Sequence, residues 1–150
     1  MILSPEQAQD VQGYALQHIQ SLLEEKLNNA PYSAPFREWD GVAVVTNPEE
    51  LPQYRATKRP FIFLEVASYD ITKRGRSRHQ LEISAEVITN SACSPAEEPL
   101  KAVLMTICHQ GYVAMRDAGL NTFDIQSGQG RNQNPQRINP HTIRCLIITE

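Results

Sequence analysis

The chain has 150 residues, with 14 lysines and arginines against 17 aspartates and glutamates, a formal charge of −3, and 41% apolar side chains. That length supports one hydrophobic core and a single domain over residues 1–150, and the mild acidity excludes the strongly basic footprint of a dedicated nucleic-acid-binding domain, although a local basic patch is still allowed. The longest apolar runs, such as Phe61 to Leu64, reach four residues, whereas a spanning helix needs about 20; with no basic start and apolar stretch of a signal peptide either, a soluble, non-secreted protein with no membrane partner is expected.

Ser4-Pro5-Glu6-Gln7 combines an N-cap serine, a proline at the first helical position and a glutamine placed to close a capping box, so a helix is expected to begin there. Ala8, Val11, Ala15, Ile19, Leu22, Leu23 and Leu27 recur at three- and four-residue steps and form one apolar stripe, which Asn28-Asn29-Ala30-Pro31 ends. A stripe of this kind reads first as core contact and only second as a partner-binding face. Pro31 to Arg37, with prolines at 31 and 35, reads as an extended connection. Val42 to Val45, following Trp39 and the Asp40-Gly41 pair, reads as a short strand, and an ordered loop crossing the sheet would look the same. Asn47-Pro48-Glu49-Glu50-Leu51-Pro52 is turn chemistry, read as a surface loop that leads to Pro60.

The stretch from Phe61 to Thr89 is the centre of the pattern. Two strand-like runs, Phe61–Tyr69 and Arg78–Thr89, flank Asp70-Ile71-Thr72-Lys73-Arg74-Gly75-Arg76-Ser77, the expected loop of a long β-hairpin. Leu81, Ile83, Ala85 and Val87 alternate with Gln80, Glu82, Ser84 and Glu86, so one face of the second strand is buried and the other wet. Phe61-Ile62-Phe63-Leu64 is apolar on both faces, which calls for cover on both sides of the sheet or at its edge. After the sheet break at Ser91 to Pro95, a second helix opens at Pro95 or Pro99 with Glu97 and Glu98 at its positive end, and Leu100, Val103, Leu104, Ile107, Gly111 and Met115 share one face. It should end near Asp117-Ala118-Gly119. Asn121 to Ile125 reads as a short strand, Gln126 to Asn134 as a long polar loop, and Thr142 to Thr149 as a closing strand. The sum is an α+β fold: an antiparallel or mixed sheet of about four strands, a long projecting hairpin, and two main helices packed on it.

Groups able to do chemistry do not assemble in the sequence. Cys93, Cys108 and Cys145 are odd in number, far apart and outside any CxxC pattern, which argues against a disulfide framework or a cysteine zinc site. His18, His79, His109 and His141 lack HxxxH or HExxH spacing, so no metal ligands are assigned. Cys108 and His109 are helix neighbours about 100° apart and cannot hydrogen-bond to one another as nucleophile and base. Gly128-Gln129-Gly130 is followed by no Lys-Ser/Thr pair and no helix, which leaves it without the mechanics of a phosphate loop. No catalytic residue and no cofactor is therefore expected. Lys73, Arg74, Arg76 and Arg78, with His79, concentrate positive charge at the hairpin tip. The bland reading is a solvated loop; the sharper one is an arm meeting an acidic neighbouring subunit or nucleic-acid phosphates. Tyr69 apart, no aromatic stands beside it for base stacking, which argues against sequence-specific binding.

The element order is a capped helix, a short strand, a proline-led loop into Pro60-Phe61-Ile62-Phe63-Leu64-Glu65, a polar hairpin, the strand His79 to Thr89, a helix and a closing strand. In order and size, from Ser4 to Thr149, this resembles the tail terminator proteins (tail completion, or minor tail protein U-like) of long-tailed bacteriophages and prophages. The Gln/Asn/Gly-rich segment before the last strand departs from that pattern. The resemblance implies a structural, non-enzymatic subunit of the virion tail, assembled in the host cytoplasm. Such a subunit forms a ring, commonly a hexamer, ends tail-tube polymerisation and provides the surface that joins the head. Implied partners are other copies of the chain, the tail-tube protein and a head-completion or connector protein, with non-specific DNA contact in the lumen. Two other classes stay open: another head-tail connector or tail-tube component, and a small ligand-binding domain or enzyme, which would need a concave pocket with convergent polar groups.

Overall fold

The computed structural model describes residues 10–110, 121–127 and 141–149. Helix α1 spans Val11–Leu27, with Asp10 as N-cap accepting from the Gly13 amide at 2.9 Å. The start expected at Ser4 lies outside the described residues, as do Gly111, Met115, the expected end of the second helix and the segment 128–140. The α1 stripe behaves as core: Val11, Ala15, Ile19, Leu23 and Leu27, one every four residues, are all buried.

The segment Pro31 to Arg37, expected to be extended, instead turns and winds into a 3-10 helix over Ala34–Trp39. Pro35 has no amide to leave unsatisfied in a first turn, and Phe36, fully buried, fastens this turn to the core. Asp40 (φ 62°) and Gly41 (φ 87°) then reverse the chain into strand β1, Ala43–Val45. The expected loop after Asn47 is likewise helical. The Asn47 side chain caps a 3-10 turn over Pro48–Glu50 by accepting from the Glu49 amide at 3.0 Å, and the turn runs on into helix α2, Leu51–Arg55.

Strand β2 covers Phe61–Arg74 and β3 covers Arg76–Ile88; helix α3 follows at Glu97–Gln110, then β4 at Asn121–Ser127 and β5 at His141–Thr149. The fold is α+β, and the strands form one mixed sheet in the order β1-β2-β3-β5-β4, with β1 parallel to β2 and the other neighbours antiparallel. Among the described residues the sheet therefore has five strands where about four were expected, because Asn121–Ser127 pairs along β5. The expected closing strand is present as β5 and lies between β3 and β4.

The alternation in β3 fixes which face is wet. Leu81, Ile83, Ala85 and Val87 are buried with α1 and with Leu100, Leu104 and Ile107 of α3, whereas Glu82, Ser84 and Glu86 on the other face are partly exposed. The apolar run in β2 is covered on both faces. Ile62 and Leu64 join the helix-side core with Val42 and Val44; Phe61 and Phe63 form a second cluster with Ala43 and Val45, closed by Leu51, Tyr54 and Ile88. The short helix α2 is the cover that the two-sided run calls for. The edges are tied by polar side chains: Asn28 donates to Val42 O at 3.1 Å and accepts from Val42 N at 3.1 Å, and Trp39 Nε1 donates to Ala92 O at 3.1 Å.

Candidate functional site

The basic segment is strand nearly to its tip. Residues 70–77, expected as a loop, continue both strands to the pair Arg74 and Arg76, and the reversal is confined to Gly75 at φ 76°. The reason lies in the pairing: β5 extends the ladder on the far side of β3 as far as Ser77 opposite Thr149, so this half of β3 has a neighbour on each edge. An irregularity between Val66 and Ser68 leaves Ala67 unpaired, so Val66 (opposite Ile83) and Tyr69 (opposite Leu81) both face the helix side, although three residues apart. From Ala67 to Arg76 every residue is exposed.

Directly opposed residues in an antiparallel ladder share a face. Arg74 with Arg76, Thr72 with Arg78 and Asp70 with Gln80 therefore lie on the wet face, continuous with Glu82, Ser84 and Glu86. Thr72, Arg74, Arg78 and Gln80 line a shallow cleft of about 420 Å³ there. Lys73, opposite Ser77, is on the other face. The four cations predicted as a unit are thus divided: three arginines stand together and Lys73 stands apart. None of the four makes an ion pair among the described residues.

Lys73 shares its face with a group that charge counting misplaced. His79 is buried, not part of the solvated tip; its Nδ1 lies 2.6 Å from the Tyr69 hydroxyl, and the two rings stack with centroids 5.9 Å apart. Burial holds the imidazole below its ordinary pKa, and the nearby Lys73 ammonium pushes it further down. With the ring neutral, its tautomer decides which of the two groups donates across this contact. The sequence held this signal in its parity: His79 sits two residues before Leu81 and so belongs to the buried set. Among the described residues this surface offers charge without a reactive partner, three guanidinium groups able to take oxyanions in paired hydrogen bonds. No family model, curated protein or solved structure matches this chain. Among the described residues no group of three or more metal-ligating side chains converges, and no helix is long and apolar enough to cross a membrane.

Proposed function

We propose that this chain is a structural subunit of a long-tailed phage or prophage tail, a tail-terminator-like protein that closes into a ring on the end of the tail tube. The ring, a hexamer in this reading, stops tube growth and presents the surface for the head-completion protein. The observation that carries the reading is the arm formed by the outer halves of β2 and β3, with Arg74, Arg76 and Arg78 on one face and no ion-pair partner for them among the described residues.

Three physical features support a contact with a second copy. The chain is acidic overall while the arm is basic, and Glu24, Glu25, Glu49 and Glu50 are exposed elsewhere on the surface. A ring needs two different complementary patches on each subunit, because its contacts are heterologous and close by rotation. In addition, β1 pairs only with Phe61–Phe63, so the remainder of β2 has no strand on its outer edge among the described residues. Such an edge is either guarded by charge or used for pairing with another chain. Catalysis, cofactors and metals have no place in this reading.

Deletion of the coding sequence followed by electron microscopy tests the function: tails of abnormal length that fail to join heads are expected, and normal tails on filled heads refute it. At the level of the arm, Arg74→Ser with Arg76→Ser leaves subunit stability within about 0.5 kcal/mol, since exposed charges contribute little. The same double substitution weakens assembly and flattens its salt dependence. Assembly unaffected by the substitutions and by salt returns the arginines to the role of a solvated surface.

A further inference from the structure

At the junction of α1 and β1, away from the arm, a cavity of about 530 Å³ is lined by Asn28, Ser33, Arg37, Asp40, Gly41 and Arg59. Its frame is fixed. Asn28 uses its amide within the protein, donating to Glu24 O at 2.9 Å and clamping both backbone groups of Val42. The turn beside it is set by Asp40 N on Arg37 O at 3.1 Å and Gly41 N on Phe36 O at 3.0 Å. Glycine at 41 is required twice over, for its φ of 87° and for space: a Cβ there would collide with Asn28 Oδ1 and lie 3.4 Å from Arg59 Nη2. The Arg59 guanidinium lies over the turn at ordinary contact distance, and the space the glycine leaves is taken by the Asn28 amide.

Arginine side chains in a folded protein ordinarily meet a carboxylate, a carbonyl or bulk water. Arg37 and Arg59 line one cavity, and neither makes an ion pair with Asp40 or any other described residue. Arg59 Nε is moreover buried with no hydrogen-bond partner among the described residues, an arrangement that costs about 1–3 kcal/mol while it lasts. The Nε edge of a guanidinium is half of the fork that grips an oxyanion. Water does not reach that edge as the side chain stands, so gripping an anion with it requires the side chain to turn toward the adjoining cavity that it lines. Asp40 supplies the opposite chemistry, an acceptor with no donor of its own.

We propose that this cavity is a binding site for a tetrahedral oxyanion that still carries a proton, inorganic phosphate being the simplest. Arg37 and Arg59 grip its charged oxygens, Ser33 offers a hydroxyl, and Asp40 accepts from the P–OH group. Sulfate has the same shape and no proton at neutral pH, so it would set two unprotonated oxygens against each other at Asp40. The site is independent of the arm and of the tail reading.

The test is calorimetric titration of the full chain with sodium phosphate at pH 7 and constant ionic strength, with sulfate and acetate as parallel titrants. Saturable one-to-one binding of phosphate is expected, at least tenfold weaker for sulfate and for acetate. Arg59→Gln and Arg37→Gln each lose tenfold or more, and Asp40→Asn, suited to the left-handed backbone at 40, narrows the gap between phosphate and sulfate. Absence of saturable phosphate binding overturns the proposal, as does equal binding by both arginine variants and the parent, or equal binding of phosphate and sulfate by the parent. Circular dichroism checks each variant for folding; if Arg59→Gln does not fold, the exposed Arg37 side chain decides the matter.

Discussion

Ile83 lies at the centre of the fold, and truncating it to alanine tests the arrangement of the sheet directly. It is fully buried on the middle strand, opposite Val66 of β2 and Ile143 of β5, and Ile143 is buried as well. Ile83→Ala removes three methyl-sized groups, about 2.4 kcal/mol of lost transfer energy at about 0.8 kcal/mol each. With strands on both sides the site cannot collapse fully; a residual hole of roughly 40 Å³ at about 24 cal/mol per Å³ adds about 1 kcal/mol. The expected loss is therefore about 3 to 4 kcal/mol, read as a shift in the urea midpoint without a change in slope, or as a fall in Tm of about 10 °C for a domain of this size. Ser84→Ala, one residue on and across the sheet, is the control and should stay within about 0.5 kcal/mol. A loss below about 1 kcal/mol for Ile83→Ala, or one no larger than the control's, would refute the assignment of the buried face.

Asn28→Ala should cost about 2 kcal/mol in the same denaturation assay, since it removes the helix C-cap contact and both bonds to Val42; a change below about 0.5 kcal/mol would show that the clamp adds nothing. Because the His79 pKa is lowered in the folded protein, the unfolded chain takes up a proton that the folded one refuses as pH falls below about 6.5, so this residue's contribution to stability is present above that pH and declines below it. Lys73→Gln should raise the His79 pKa part-way back, followed by the imidazole proton shifts in NMR, and an unchanged or lower value would remove Lys73 from the His79 face. In hydrogen exchange on the free subunit, amides of Ser77 to Ala85 should exchange more slowly than those of Glu65 to Arg74, because among the described residues this part of β3 has a strand on each side and this part of β2 has one; equal rates would mean that β5 does not brace the arm.

The strands and the two long helices were legible because their signals are periodic. Four-residue spacing in α1 and two-residue alternation in β3 each place a whole set of side chains at once, and tertiary packing agrees with both. The misread segments are those where proline or glycine was taken as a breaker. Pro35 and Pro48 instead occupy first-turn positions of 3-10 helices, where a missing amide costs nothing, and Phe36 supplies the burial that makes the turn worthwhile. The segment 70–77 looked like a loop for its charge and its glycine, yet a strand supported on its neighbour's far edge tolerates charged side chains on a wet face. Arg37 and Arg59 gave no signal. They are 22 positions apart in the sequence, and only the tertiary fold brings them to one cavity.

That bracing by β5 changes the physical account of the basic arm. A two-stranded polar hairpin alone is marginal in water, so on sequence grounds the arm would have to order at the moment of contact and spend part of its binding free energy on doing so. The third strand follows β3 to Ser77 and fixes the arginine face before any partner arrives. The side chains still lose rotamer freedom on contact, about 0.5–1.5 kcal/mol for each immobilised one, but the backbone cost has been met in folding. A preordered basic face also favours rapid capture of an acidic surface at low salt, since long-range attraction acts on an orientation already set. In the proposed contact the outer edge of β2 beyond Phe63, which has no strand beside it among the described residues, would contribute only after approach, when main-chain groups come within hydrogen-bonding distance. Charge on the arm would govern the rate of encounter and its salt dependence, while edge pairing and buried contact would govern how long the contact lasts.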